Sequence, residues 1–157
     1  MALYFAFVVE CPRESDAIRI CERLRTVVIA VAGRDVPMAE VKMEAKAGMW
    51  YVQAMPSGIG YSRYGGDVVL NRPESVTAVI DLLYEAIASE EGIRRALCGY
   101  EAQDAFEDVS GNPDLSRFDI HDLVYDRNAI YPTACLAGAR KFGVNYYRNP
   151  SREHKTG

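Results

Sequence analysis

The chain has 157 residues, a hydrophobic fraction of 49%, a charged fraction of 25% and a formal net charge of −4 at pH 7. That length fits one domain and buries enough surface for a core without staples, and the composition excludes a largely disordered chain. No stretch approaches the about 20 apolar residues of a membrane helix, and an isoelectric point near 5.2 disfavours a phosphate backbone as partner.

Taken in order, Ala2 to Glu10 is a nearly continuous aromatic and β-branched run, the pattern of a strand buried on both faces. It is expected to be a buried strand and not a secretory signal, as it carries no basic segment, and Glu10 and Pro12 follow with no small-residue cleavage site. The expectation is a cytoplasmic protein. Cys11, Cys21, Cys98 and Cys135 agree with this, since none are spaced Cys-x-x-Cys and reduced, buried thiols are expected.

Ser15 reads as a helix N-cap with Asp16 in the first turn, and Ile18, Cys21, Leu24, Val28 and Val31 continue at helical spacing to a stop at Gly33. A helix over 16–32 is expected, although the β-branched run Val27–Val31 also suits a strand. Val41, Met43 and Ala45 alternate with Glu40, Lys42, Glu44 and Lys46, giving a strand with one wet face, and Met49 to Met55 is its hairpin partner after Gly48. Pro56 to Asp67 reads as a glycine-rich loop or hairpin tip, followed by a short strand at Val68 to Leu70. Pro73 opens a helix whose stripe is Val76, Val79, Ile80, Leu83, Ala86 and Ile87, ended by Gly92, and Arg94 to Ala102 suits a strand.

The expected architecture is therefore α+β: a ferredoxin-like split βαβ sheet over residues 2–102, with helices near 16–32 and 73–90 on one face. Residues 103–148 form an extension, with a short helix after Asn112-Pro113, a second from Pro132 to Gly143, and a last strand over Val144–Arg148. Residues 149–157 read as a polar tail. All belong to a single domain, 1–157.

Candidate sites are few. Gly58-Ile59-Gly60-Tyr61-Ser62-Arg63-Tyr64-Gly65-Gly66 lacks the Gly-Lys-Ser/Thr of a phosphate loop and the G-x-G-x-x-G spacing of a dinucleotide site. A hairpin tip is the simpler reading, and Tyr61, Arg63 and Tyr64 are residue types that anchor protein interfaces. His121 lies among Asp119, Asp122 and Asp126, where Asp122 and Asp126 share one face if the segment is helical. The other histidine, His154, falls in the tail, so no converging metal set is expected. Cys98 with His121 is the one conceivable nucleophile–base pair, and nothing in the sequence joins them. The reading is a non-enzyme with no cofactor. Arg140, Lys141, Phe142, Tyr146, Tyr147, Arg148 and Arg152 mix bases and aromatics, but neither candidate central strand has an RNA-platform pattern.

Charge is unevenly distributed. Residues 90–126 hold 3 Lys/Arg against 10 Asp/Glu, and residues 127–157 hold 6 against 1. Glu101, Asp104, Glu107, Asp108, Asp119, Asp122 and Asp126 are interleaved with Tyr100, Phe106, Phe118 and Tyr125. Read simply, this is a solvated face over buried aromatics; read functionally, it is a contact surface for a basic partner, with carboxylates steering and aromatics holding.

The stretch Ala96-Leu97-Cys98-Gly99-Tyr100-Glu101-Ala102-Gln103-Asp104-Ala105-Phe106, the acidic segment after it, and the closing Phe142-Gly143-Val144-Asn145-Tyr146-Tyr147-Arg148 resemble the small cytoplasmic immunity proteins of bacterial polymorphic toxin systems. The resemblance is one of size, acidity and layout over the C-terminal half. It implies a non-catalytic protein that binds a cognate toxin and blocks its active site. The alternative is a small-ligand-binding or regulatory ferredoxin-like domain.

Overall fold

The computed structural model describes residues 3–61, 66–100, 120–126, 140–142 and 146–150, with side chains over 4–60 and 66–100. Strand β1 (Leu3–Cys11) carries Phe5, Phe7, Val9 and Cys11 in the core shared with the helices. Its alternate residues Ala6, Val8 and Glu10 are buried as well. Burial on both faces is why the run is continuous rather than alternating.

Helix α1 (Glu14–Arg25) starts two residues earlier than its serine suggested: Arg13 is the N-cap, without a side-chain cap bond, and Ser15 lies inside the helix. Asp16 is buried in the first turn and receives Arg13 Nε at 2.7 Å and Arg19 Nη1 at 3.0 Å. The helix stops at Arg25, where the Thr26 amide and hydroxyl both donate to the Arg23 carbonyl. This corrects the expected helix over 16–32, because Val28–Val31 is a strand, β2. The β-branched run wins here because Ala32 and Gly33, at φ 52° and 71°, make a two-residue turn whose twist matches a hairpin. Ile29 and Val31 then point into the core and Val28 outward.

That turn leads into β3 (Arg34–Lys46), which pairs with β2 over 34–37 and, after an irregularity between Met38 and Glu40, with β4 (Met49–Pro56). Ala47 and Gly48 repeat the same positive-φ turn between β3 and β4. A two-residue strand, β5 (Gly60–Tyr61), lies beside the start of β1. The expected strand at Val68–Leu70 is a turn instead, because Asp67 Oδ1 accepts the amides of Val69 at 2.8 Å and Leu70 at 3.2 Å. Helix α2 (Pro73–Ile87) and strand β6 (Arg95–Tyr100) fall where the sequence placed them.

The result is a mixed α+β structure: an antiparallel sheet in the order β2-β3-β4-β1-β6, with two helices. Ala17, Ile20, Cys21 and Leu24 of α1 and Val76, Val79, Ile80, Leu83, Tyr84 and Ile87 of α2 pack in one cluster with Phe5, Phe7, Val52, Ala54, Ala96 and Cys98. Phe7 and Tyr84 meet edge-to-face at 5.2 Å. Both helices thus cover one sheet face, and β2 adds an edge strand that the expected four-stranded sheet did not include. α1 is further tied to the loop after α2 by Arg19–Glu90 at 2.7 Å and Arg19 Nη2 to the Glu91 carbonyl at 2.8 Å. The approach is so close that a Cβ on Gly92 (φ 78°) would lie 2.3 Å from Asp16 Oδ2.

Beyond residue 100 the described segments are strands: β7 (Ile120–Asp126) on β6, β9 (Tyr146–Pro150) on β7, and β8 (Arg140–Phe142) on β9. Arg140–Phe142 therefore does not belong to a helix running to Gly143, and the closing strand sits two residues later than expected, taking in Asn149 and Pro150. The expected helix after Asn112-Pro113 lies outside the described residues.

Candidate functional site

The described roots of the two candidate contact segments, Tyr61 and Tyr100, lie beside the same end of β1. Tyr61 stands opposite Leu3 and Gly60 opposite Tyr4, while Tyr100 stands opposite Phe5 on the other side of β1. The aromatic loop therefore begins, and the acidic segment departs, on either flank of the first residues of β1.

Asn71 joins the two roots. Its Oδ1 accepts the Gly60 amide at 2.8 Å and the Tyr100 hydroxyl at 3.1 Å. Its Nδ2 donates to the carbonyls of Asp67 at 2.7 Å and Gly58 at 3.0 Å, with that of Gly60 at 3.4 Å. Below it the Asp67 amide donates to the Gly58 carbonyl at 2.9 Å, closing the loop at its base. Arg34 pairs with Asp67, and the Ser57 amide donates to the Pro37 carbonyl, tying the loop to the β2–β3 hairpin. One asparagine thus serves as both acceptor and donor for backbone that cannot complete a ladder.

Of the site residues expected from sequence, Tyr61 ends β5. Asp122 lies in β7 opposite Cys98 and Pro150, and Asp126 lies opposite Tyr146. Because this segment is a strand, His121, Asp122 and Asp126 are not arranged on a helix, and the two aspartates stand about 13 Å apart along it. Arg63, Tyr64, Glu101, Asp104, Glu107, Asp108 and Asp119 lie outside the described residues.

Sequence reasoning missed a second polar site, on the sheet face away from the helices. Glu10 is 1% exposed and Arg95 3%. They form a two-pronged pair, Arg95 Nε to Oε1 at 3.0 Å and Nη2 to Oε2 at 2.9 Å. Tyr51 donates its hydroxyl to Oε2 at 2.8 Å, and Arg94 approaches Oε1 at 3.3 Å. The signal was present: a glutamate ending an apolar strand and paired arginines opening another are charges in buried company.

Burial, then the bond to the Glu10 carboxylate, pushes the Tyr51 phenol from its ordinary value near 10 up to about 12. One tyrosine is therefore expected to ionise late in an ultraviolet alkaline titration, and Tyr51→Phe should remove that step. As the unfolded phenol ionises first, folded stability should decline from pH 10 towards 12 in the parent more steeply than in Tyr51→Phe. Coincident titration of all tyrosines in the folded protein would contradict this placement.

Among the described residues no group of three His, Cys, Asp or Glu side chains is placed to hold a metal ion. Cys11, Cys21 and Cys98 are buried. Burial, reinforced by Asp16, raises the Cys11 thiol to about 12, which leaves it a poor nucleophile. No described helix is long and apolar enough to cross a membrane. Comparison with protein-family models, with curated proteins and with solved structures gave no match.

Proposed function

We propose that this protein is a non-catalytic binding inhibitor of the immunity type, acting in the cytoplasm, that neutralises a cognate bacterial toxin by covering its active site. The frame for this is read as ferredoxin-like, with β3-β4-β1-β6 as its four strands and β2 and β5 as additions. The observation that carries the reading is the shared anchorage at Asn71, which fixes the start of the Tyr61–Tyr64 loop beside the departure point of the acidic segment. The roots of the aromatic loop and of the acidic segment, Gly60–Tyr61 and Tyr100, then flank the same end of β1. A partner with a positive groove, such as a nuclease, would be steered by the carboxylates and held by the tyrosines.

The test is to look for a toxin domain encoded next to this chain and to follow its association by stopped flow at two ionic strengths. Reversal of Asp104, Asp108 and Asp119 to Lys should slow association by roughly ten-fold at low salt, with the difference shrinking as salt is added. Asp122 is spared because it is an internal strand position. Tyr61→Ala and Tyr64→Ala should instead speed dissociation, each by about ten-fold if it is an interface anchor. An unchanged association rate in the charge-reversed protein would reduce the acidic segment to a solvated face. Stabilisation by a metabolite with no effect of the neighbouring protein would favour a ligand-binding domain instead.

A further inference from the structure

The outer edge of β3 is open over most of its length. β2 covers only 34–37, and among the described residues no strand pairs on that side from Met38 to Lys46. Ala39, Glu40, Lys42, Glu44, Ala45 and Lys46 are exposed, and Val41 and Met43 are half-buried on the side facing the core. An exposed edge of this length presents a row of unpaired amides and carbonyls to any strand that fits it.

We propose that the occupant of this edge is the β3 edge of a second copy of the chain, joined antiparallel about a two-fold axis through Met43. The sequence of the edge selects that register. With the axis at Met43, Glu40 faces Lys46 of the second copy and Lys42 faces Glu44, and by symmetry each pair occurs twice. Every charged position on the wet face then meets its opposite. On the other face Val41 meets Ala45 and Met43 meets Met43, continuing the apolar side of the sheet.

Neighbouring registers are rejected by the same residues. An axis at Lys42 sets Glu40 against Glu44 and Lys42 against itself. One at Glu44 sets Lys42 against Lys46 and Glu44 against itself. Like charges directly opposite each other are destabilising, and a one-residue slip would set charges against the apolar face. Within one copy Glu40 and Lys42 lie on the same face, with Lys42 Nζ 3.9 Å from Glu40 Oε1, so the alternation needed for the pairing is already in place. A two-fold contact of this kind is self-complementary and closes as a dimer. An axis at Val41 or Ala45 would also match charges, but only one kind of pair each, against the two that the axis at Met43 makes.

This inference is independent of the toxin-binding reading, which rests on the Tyr61 loop and the acidic segment and not on β3. It is tested by sedimentation equilibrium of the full chain over an about hundred-fold range of concentration. The wild type should show a monomer–dimer equilibrium. Lys42→Glu, and separately Glu44→Lys, should each weaken the dimer by roughly ten-fold or more, since each converts two attractive pairs to repulsive ones. The double variant Lys42→Glu/Glu44→Lys swaps the charges and should restore it. Met43→Cys should cross-link to itself under mild oxidation, because Met43 faces its own copy within about 5.5 Å between Cα atoms. Ala45→Cys, which faces Val41, should not. A wild type that stays monomeric throughout, a double variant no stronger than the single ones, or equal cross-linking through Ala45→Cys would overturn the proposal.

Discussion

Glu10→Gln is expected to cost the fold about 3–5 kcal/mol, the usual result of removing one partner from a buried ion pair. The substitution keeps the shape of the side chain but leaves the Arg95 guanidinium, 3% exposed, without its carboxylate. Arg94, with 39% of its side chain exposed, can turn to water and should contribute little to the loss. Replacing both partners by leucine should cost much less than the two single replacements together, because a matched apolar pair strands no charge. Urea unfolding with unchanged slopes measures these differences. A loss below about 1 kcal/mol for Glu10→Gln would mean that water reaches the guanidinium in solution.

The second large effect is expected at Asn71. Asn71→Asp preserves size and the acceptor for the Gly60 amide and Tyr100, but turns a carboxylate oxygen towards the carbonyls that Nδ2 now bonds. Losing those donor bonds and setting acceptor against acceptor should cost about 2–3 kcal/mol of stability. Binding supplies a separate readout. If the aromatic loop is a contact, its lost preorganisation should raise the Kd for the proposed partner about ten-fold even under conditions where the variant is fully folded. Unaltered binding alongside reduced stability would leave Asn71 a structural brace and remove the loop from the interface.

The elements legible in the sequence were those whose pattern is local. Pro73 and the stripe from Val76 to Ile87 define α2 without reference to any neighbour, and the apolar run at 3–11 declares a strand buried on both faces. The error over 16–32 came from reading spacing before side-chain type: Val28 and Val31 continue the helical period, yet both belong to β2. The repeated Ala-Gly pair at 32–33 and 47–48 was the better guide, since it closes both hairpins. Gly48 reads as a turn but Gly33 as a helix stop, because alanine rarely accepts a positive φ, where asparagine at 32 would have announced the turn. Pairings between distant residues were not legible. Glu10 and Arg95 stand 85 positions apart, and Asn71 meets Tyr100 29 positions on, so no periodicity relates them. Of the candidate contact residues, the types were readable but the common root of their segments was not, because it depends on β1 lying between β5 and β6.

The central place of β1 also sets the order of events at the ribosome. Apolar β1 is synthesised before both of its long neighbours, β4, begun at Met49, and β6, begun at Arg95. Neither edge of Leu3–Cys11 can be satisfied by an adjacent hairpin, so one edge waits for β4 and the other stays open until residue 100 has left the exit tunnel. Such long-range closure slows folding and exposes the strand to illegitimate pairing meanwhile. Collapse of α1 onto the β2–β3–β4 hairpins offers the emerging chain a surface on which β1 can dock by one edge, with β6 sealing the other last.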